Sequence, residues 1–193
     1  MNMKKKIILA STSPRRSELL KQIGLDFEIM PSKYEEDMSL KMDNAGLAKA
    51  LAYGKAKDVA DRIKKGVVIG SDTFVVFDKK RIGKPKDKND ARKMLGMISG
   101  QWVKIYSGIA IIDVKNKKKI IDHEVTRVKI KNLTAKEIEN YLRTGEPLDK
   151  AGAFAIQGRG AIFIEKINGC YSSVIGLPLN RLYVDLQKIG INI

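Results

Sequence analysis

Several side chains in this sequence could handle a phosphate group. The apolar run Ile7-Ile8-Leu9-Ala10 stops at Ser11-Thr12-Ser13, and Pro14, Arg15 and Arg16 follow. That order reads as a buried strand, a tight loop and a helix N-terminus, where backbone N–H groups and the positive end of a helix dipole collect. Such an edge holds phosphate. Two arginines add planar, permanently charged forks suited to phosphate oxygens. The same residues also spell an ordinary helix start, with Ser13 as N-cap and Pro14 at the first helical position.

The acidic candidates are Asp72 and Glu36. Asp72 separates Val67-Val68-Ile69-Gly70-Ser71 from Phe74-Val75-Val76-Phe77, with Thr73 next to it. A carboxylate between apolar runs is costly to bury unless it is paired or metal-bound. Ligands also gather at the C-terminal ends of strands in open α/β sheets. A turn aspartate beside a hydroxyl is the plain alternative, but these flanks leave little room for a solvated turn. Glu36 lies in the acidic run Glu35-Glu36-Asp37. With Asp72 it could hold one hard divalent ion, because magnesium takes one or two carboxylates and completes its shell with phosphate and water. Lys84, between Gly83 and Pro85, sits on a stiff loop and could meet a phosphate. Lys55 falls within the helical stripe Ala48, Leu51, Ala52, Val59, Ile63. There it either snorkels its charge outward or points into a site at the edge of the core; the spacing alone does not separate the two.

Other chemistries have little to stand on. His123 is the only histidine, and it lies between Asp122 and Glu124 in a strand-like run, so a histidine triad or histidine metal site would rest on it alone. Its reading is structural. Cys170 is the only cysteine, which rules out an internal disulfide and a cysteine-based zinc cluster. Neither a Gly-x-x-x-x-Gly-Lys-Ser/Thr loop nor a dinucleotide fingerprint occurs, and Gly158-Arg159-Gly160 is too short for the latter. No apolar run approaches a membrane span. The lysines before Ile7 precede only four apolar residues, so no export signal is expected and a cytoplasmic location is the default. The formal net charge is +15. The lysines are scattered and not interleaved with aromatics, which favours a solvated surface over a nucleic-acid partner. A positive protein would still attract small polyanions such as nucleotides.

The elements that must position these groups alternate in type, as in an α/β or α+β chain of one domain over residues 1–193. Helices are expected at 17–23, 45–65, 88–97, 135–143 and 179–189, with Asp87 capping the third and a Thr134/Glu137 capping box opening the fourth. Strands are expected at 67–71 and 161–167, an extended piece at 27–30, and a hairpin at 102–114 and 119–131. Residues 78–81 read as a turn, and residues 153–156 as a short strand or a turn.

Seven ordered blocks carry a resemblance over nearly the whole chain. They are Leu9-Ala10-Ser11-Thr12-Ser13-Pro14-Arg15-Arg16-Ser17-Glu18-Leu19-Leu20, Leu47-Ala48 to Lys55-Ala56-Lys57, Ile69-Gly70-Ser71-Asp72-Thr73, Gly83-Lys84-Pro85, Met94-Leu95 to Ser99-Gly100, Glu146 to Gly158, and Val174-Ile175-Gly176-Leu177-Pro178-Leu179. In this order they resemble the Maf family of nucleoside triphosphate pyrophosphatases.

The resemblance implies a two-lobed α/β fold, with a long twisted mixed sheet flanked by helices and a cleft between the lobes. It implies hydrolysis of a nucleoside triphosphate to the monophosphate and pyrophosphate with a divalent cation, Mg2+ or Mn2+, and a homodimer. Asp72 matches the family's proton acceptor. Arg15 and Arg16 match the arginines of the phosphate loop that Ser11 opens, and Glu36, Lys55 and Lys84 match its charged cleft positions. Arg15, Thr73 and Gln157 match positions linked to base choice. Asp149-Lys150-Ala151-Gly152-Ala153-Phe154-Ala155-Ile156-Gln157-Gly158 is similar to the branch acting on dTTP and UTP. The Gln157 amide offers an acceptor and donors that match the N3–H and carbonyls of uracil and thymine. Val103 stands where the family often has histidine, and Ser107 where threonine is usual. A second reading, a nucleotide- or nucleic-acid-binding regulator of cell division without turnover, follows from the family's link to septum formation.

Overall fold

The computed structural model describes residues 5–193. Residues 1–4, part of the segment weighed as an export signal, lie outside the described residues. The elements are β1 (Ile7–Leu9), α1 (Pro14–Gln22), β2 (Glu28–Ile29), α2 (Asn44–Ala60), β3 (Val67–Phe77), β4 (Lys80–Ile82), α3 (Lys88–Ile98), β5 (Trp102–Asp113), β6 (Lys118–Ile130), α4 (Ala135–Arg143), β7 (Ile164–Asn168), α5 (Tyr171–Ile175) and α6 (Leu179–Lys188). The architecture is α/β. A mixed seven-stranded sheet runs in the order β2-β1-β3-β5-β6-β7, with β4 paired to β3. β1 is parallel to β2 and β3, while β4 on β3 and β7 on β6 are antiparallel.

The chain divides into two compact units. The first holds the chain to Asp72, Ser107–Glu124 and Gly176–Ile193; the second holds Thr73–Tyr106 and Val125–Ile175. In the first, Ile8, Val68 and Ala110 from the sheet meet Ala52, Ala56 and Val59 of α2. In the second, Leu95 and Ile98 of α3 and Ile138 and Leu142 of α4 bury against Val103, Ile105, Val128 and Ile130. Val103 is fully buried there, a packing position for an apolar residue.

Expected and observed elements differ in instructive places. α1 begins at Pro14, three residues earlier than expected, so Arg15 and Arg16 lie in its first turn. Ser13 is the N-cap residue but makes no side-chain cap bond. α2 ends at Ala60 and not at 65: Arg62 and Ile63 donate to Val59 and Ala60 in tight turns, and Gly66 takes a φ of 126° before β3 starts. Asp72 sits at neither a strand end nor a turn; β3 continues through it. The turn after β3 needs only Asp78 and Lys79, both with positive φ, the geometry of a two-residue hairpin. Short 3₁₀ turns cover Ala151–Ala153 and Gly158–Phe163, so of the two readings of 153–156 the turn holds, and β7 begins at Ile164 rather than at 161. The hairpin, the Asp87 cap and the Thr134/Glu137 capping box are where the sequence puts them.

The feature that positions the site is the close seating of α2 on the sheet. Ala48, Ala52 and Ala56 recur every four residues and form a small-residue face. That face rides on Gly108 and Gly70: a Cβ at Gly108 would stand 1.8 Å from Ala48 O, and one at Gly70 2.4 Å from Ala52 O. A methyl group at either site would push the helix backbone away. Gly108→Ala is therefore expected to cost about 3 kcal/mol or more in urea unfolding. Gly83→Ala, where a Cβ meets nothing within 4 Å, is expected to stay within about 0.5 kcal/mol.

Candidate active site

Three charged groups of the first unit converge. Lys55 on α2 places its Nζ 2.5 Å from Asp72 Oδ1 of β3 and 2.6 Å from Glu36 Oε1, in the loop before α2. Asp72 is buried and the Lys55 side chain is 12% exposed, so the pair is screened far less than a surface pair. Glu36 is exposed and forms the solvent side of the group. Of the two courses open to it in the apolar stripe, the Lys55 side chain takes the one that reaches the buried Asp72.

The Glu36 loop is fastened to α2 beside this group. Asp58 Oδ2 accepts the Lys33 N–H at 2.8 Å, and that bond, with smaller help from Ser32 and Arg62, holds the Asp58 carboxyl below its usual range. Arg62 donates to Pro31 O at 2.6 Å and to Asp58 at 2.8 Å. The Tyr34 ring lies where the side chain of residue 54 would be: a Cβ on Gly54 would stand 2.4 to 2.7 Å from its atoms. A glycine in a helix interior lowers helix stability by up to about 1 kcal/mol. Here it makes the seat for Tyr34, one residue before Lys55.

The phosphate-type loop is also ordered. β1 pairs with β3 from Ile7–Val67 to Leu9–Ile69, and Ala10 N donates to Ile69 O, so the loop leaves the sheet beside the Gly70–Asp72 stretch. Ser11 Oγ accepts the Ser13 N–H and Arg16 Nη1, each at 3.1 Å. Arg16 Nε donates to Gly176 O at 2.9 Å, and Ser71 Oγ lies 2.9 Å from the same oxygen. Gly176 has a φ of 135°, open to glycine alone, which lets its carbonyl serve both donors. Burial pulls the Arg16 guanidinium below its ordinary pKa; the negative charges of Asp72 and Glu36 act to raise it, and Arg15 lowers it further. Ser11, Arg15, Arg16, Glu36, Lys55 and Asp72 thus belong to one charged neighbourhood. Two of the Arg16 donors bind the protein and organise the loop.

The remaining candidates lie in the second unit. Thr73 follows Asp72 on β3 and so faces the other side of the sheet. Lys84 is exposed, on a loop whose Gly83 O accepts the Gly152 N–H at 2.9 Å. Gln157 is half-buried and opens the 3₁₀ turn of Gly158–Phe163. That turn has an anchor sequence reasoning missed. Glu146 Oε2 accepts the Arg159 N–H at 2.9 Å, and Oε1 accepts the Gly160 N–H at 3.1 Å and the Tyr141 hydroxyl at 2.8 Å. Burial pushes the Glu146 carboxyl up, but these donors outweigh it and hold it below its usual range. The only local sign was an acid beside Pro147, twelve residues ahead of a Gly-x-Gly turn. His123 lies beside Asp122 on β6.

A divalent ion fits the Glu36–Asp72 pair. One cation, the Lys55 ammonium, already touches both carboxylates, so a single ion can reach both. Among the described residues, no three His, Cys, Asp or Glu side chains converge. A hard ion sharing its shell with phosphate needs only one or two carboxylates.

A family model described as Maf-like protein matches residues 6–189. The chain is 49% identical to the dTTP/UTP pyrophosphatase of Ruminiclostridium cellulolyticum over 185 residues, 95% of this chain and 96% of that protein. It is 49% identical to the dTTP/UTP pyrophosphatase of Clostridium botulinum strain Kyoto, covering 98% of this chain and 100% of that one. The protein of the same name from Acetivibrio thermocellus is 48% identical, with 97% of each chain covered. Among solved structures, the chain is similar to that of the Staphylococcus aureus Ham1 protein, 16% identical over 65% of this chain and 72% of that one, with a TM-score of 0.47.

Gly54→Ala separates the seat of the Glu36 loop from helix stability. The variant is expected to displace Tyr34 and part Glu36 from Lys55, while α2 gains about 1 kcal/mol of propensity. A crystal structure of the variant with a thermal melt checks both; an unmoved Tyr34 ring contradicts the seat.

Proposed function

The chain belongs to the Maf-like protein family, and on that premise we propose that it hydrolyses dTTP and UTP to the monophosphate and pyrophosphate. The observation that carries this reading is the Glu36–Lys55–Asp72 group beside the Ser11–Arg16 loop: two carboxylates and a set of cations in one part-buried place. Relatives named for this activity match along nearly their whole length. In the reaction, a water oxygen attacks the α-phosphorus in line as the bond to the α,β-bridging oxygen breaks. Pyrophosphate leaves, and the proton of the attacking water passes to the Asp72 carboxylate.

Arg15 and Lys55 bind phosphate oxygens and draw off the charge that builds on them. Arg16 shapes the loop and adds its charge. A bound Mg2+ or Mn2+, held by Glu36 and Asp72, would supply further neutralisation of the triphosphate. Lys84 as a phosphate contact, and Thr73 and Gln157 as base readers, are proposed on the family resemblance, as are the homodimer, the arrangement of the units as two lobes and the cytoplasmic location. No helix among the described residues is long and apolar enough to cross a membrane.

Pyrophosphate release from a panel of nucleoside triphosphates tests the reading. UTP and dTTP are expected to turn over fastest, and EDTA is expected to stop release. Asp72→Asn is expected to lower turnover about 10²- to 10⁴-fold with the fold retained. Hydrolysis of UTP by Asp72→Asn at the parent rate removes the proton-acceptor role, and negligible release from every triphosphate points to a binding regulator.

A further inference from the structure

The charge balance of the first unit raises a question about its metal. Arg15, Arg16 and Lys55 set three positive charges against the two carboxylates of Glu36 and Asp72. A bare divalent ion would enter a neighbourhood already positive, and at the very place the Lys55 ammonium fills. A unit charge within about 4 Å of a divalent ion, at a partly buried site, repels it by several kT. A triphosphate changes the sign of the balance. It brings about four negative charges at neutral pH, and it offers the ammonium new oxygen partners.

We propose that Lys55 is a stand-in cation, which satisfies Glu36 and Asp72 in the resting protein and yields them to a divalent ion only when a polyphosphate arrives. This rests on the pyrophosphatase reading for the identity of the polyphosphate but not for its own test. The Lys55 side chain has the means to switch. Its stem is flexible, its charge is a compact point, and both partners are single contacts and not a bidentate fork. The resting contact also keeps the buried Asp72 from standing uncompensated, a state that would otherwise favour misplacement of the acid or capture of any passing cation. Metal and nucleotide then enter together, and the resting site is not loaded with metal alone.

The test reads the Mn2+ that the protein itself retains. Equilibrium dialysis follows it, with and without inorganic tripolyphosphate as the probe, against a protein-free arm that accounts for the Mn2+ held by tripolyphosphate in solution. The intact protein is expected to leave Mn2+ largely free on its own and to take it up once tripolyphosphate is present. Lys55→Met is expected to bind Mn2+ alone about tenfold or more tightly than the parent, and Glu36→Gln added to it is expected to remove that gain. Parent protein that holds Mn2+ alone as tightly as Lys55→Met, or a gain that survives Glu36→Gln, overturns the proposal. Lys55→Gln serves where Lys55→Met fails to fold. The parent titration also decides by itself, since equal Mn2+ binding with and without tripolyphosphate contradicts the proposal. Should no triphosphate be hydrolysed while this Mn2+ pattern holds, the pyrophosphatase reading fails and the role of Lys55 stands.

Discussion

An ammonium group lies between two carboxylates at the edge of an apolar core, and the local fold is arranged to keep it there. The Asp72 carboxylate is buried in a strand whose other residues are nearly all apolar. Removing one partner of such a pair costs about 3 to 5 kcal/mol, because the other is left charged and desolvated. Lys55 must therefore reach Asp72, and that requires α2 to approach β3 closely. The approach is made by residues with almost no side chain: alanines on the helix, glycines on the sheet. Bulk at Gly70 or Gly108 would lift the helix and carry Lys55 away from the strand. The Lys55–Asp72 contact and the tightest packing in the first unit are thus one constraint.

The third member of the group, Glu36, comes from a loop with little apolar side-chain burial of its own. It is held by directed contacts: the Lys33 amide on Asp58, Arg62 on Pro31, and Tyr34 in the seat left by Gly54. A loop fixed this way sets a carboxylate in place while leaving its outer face wet. In the second unit the 3₁₀ turn after Gln157 follows the same rule, since Glu146 gathers two backbone N–H groups and a tyrosine hydroxyl. In both places one carboxylate substitutes for regular secondary structure.

Much of this was legible in the sequence, for identifiable reasons. The alanine and leucine spacing marked α2, the hydroxyl–proline–arginine run marked the first loop, and the capping residues marked α3 and α4. Asp72 stood out because acids are rare between apolar runs, yet the same oddity suggested a break in the strand. The strand continues because Lys55 supplies the missing charge, and a partner seventeen residues away leaves no local trace. Gly54 and Gly70 carry no local sign of their role, since what they make room for comes from elsewhere in the chain. Glu146 was invisible as an anchor because its partners are mostly backbone N–H groups, which every sequence has. Residues 161–163 read as strand because they are apolar, but they close a turn that opens at Gly158 with positive φ.

The central claim is that Glu36 and Asp72 act as one unit around a shared cation. A double-mutant cycle on kcat/KM for UTP, using Glu36→Gln, Asp72→Asn and the two together, tests it most directly. Groups that act as a unit are strongly non-additive. The account predicts that the double variant loses little more activity than the worse single variant. Losses that simply multiply, or a Glu36→Gln variant as active as the parent, would contradict it.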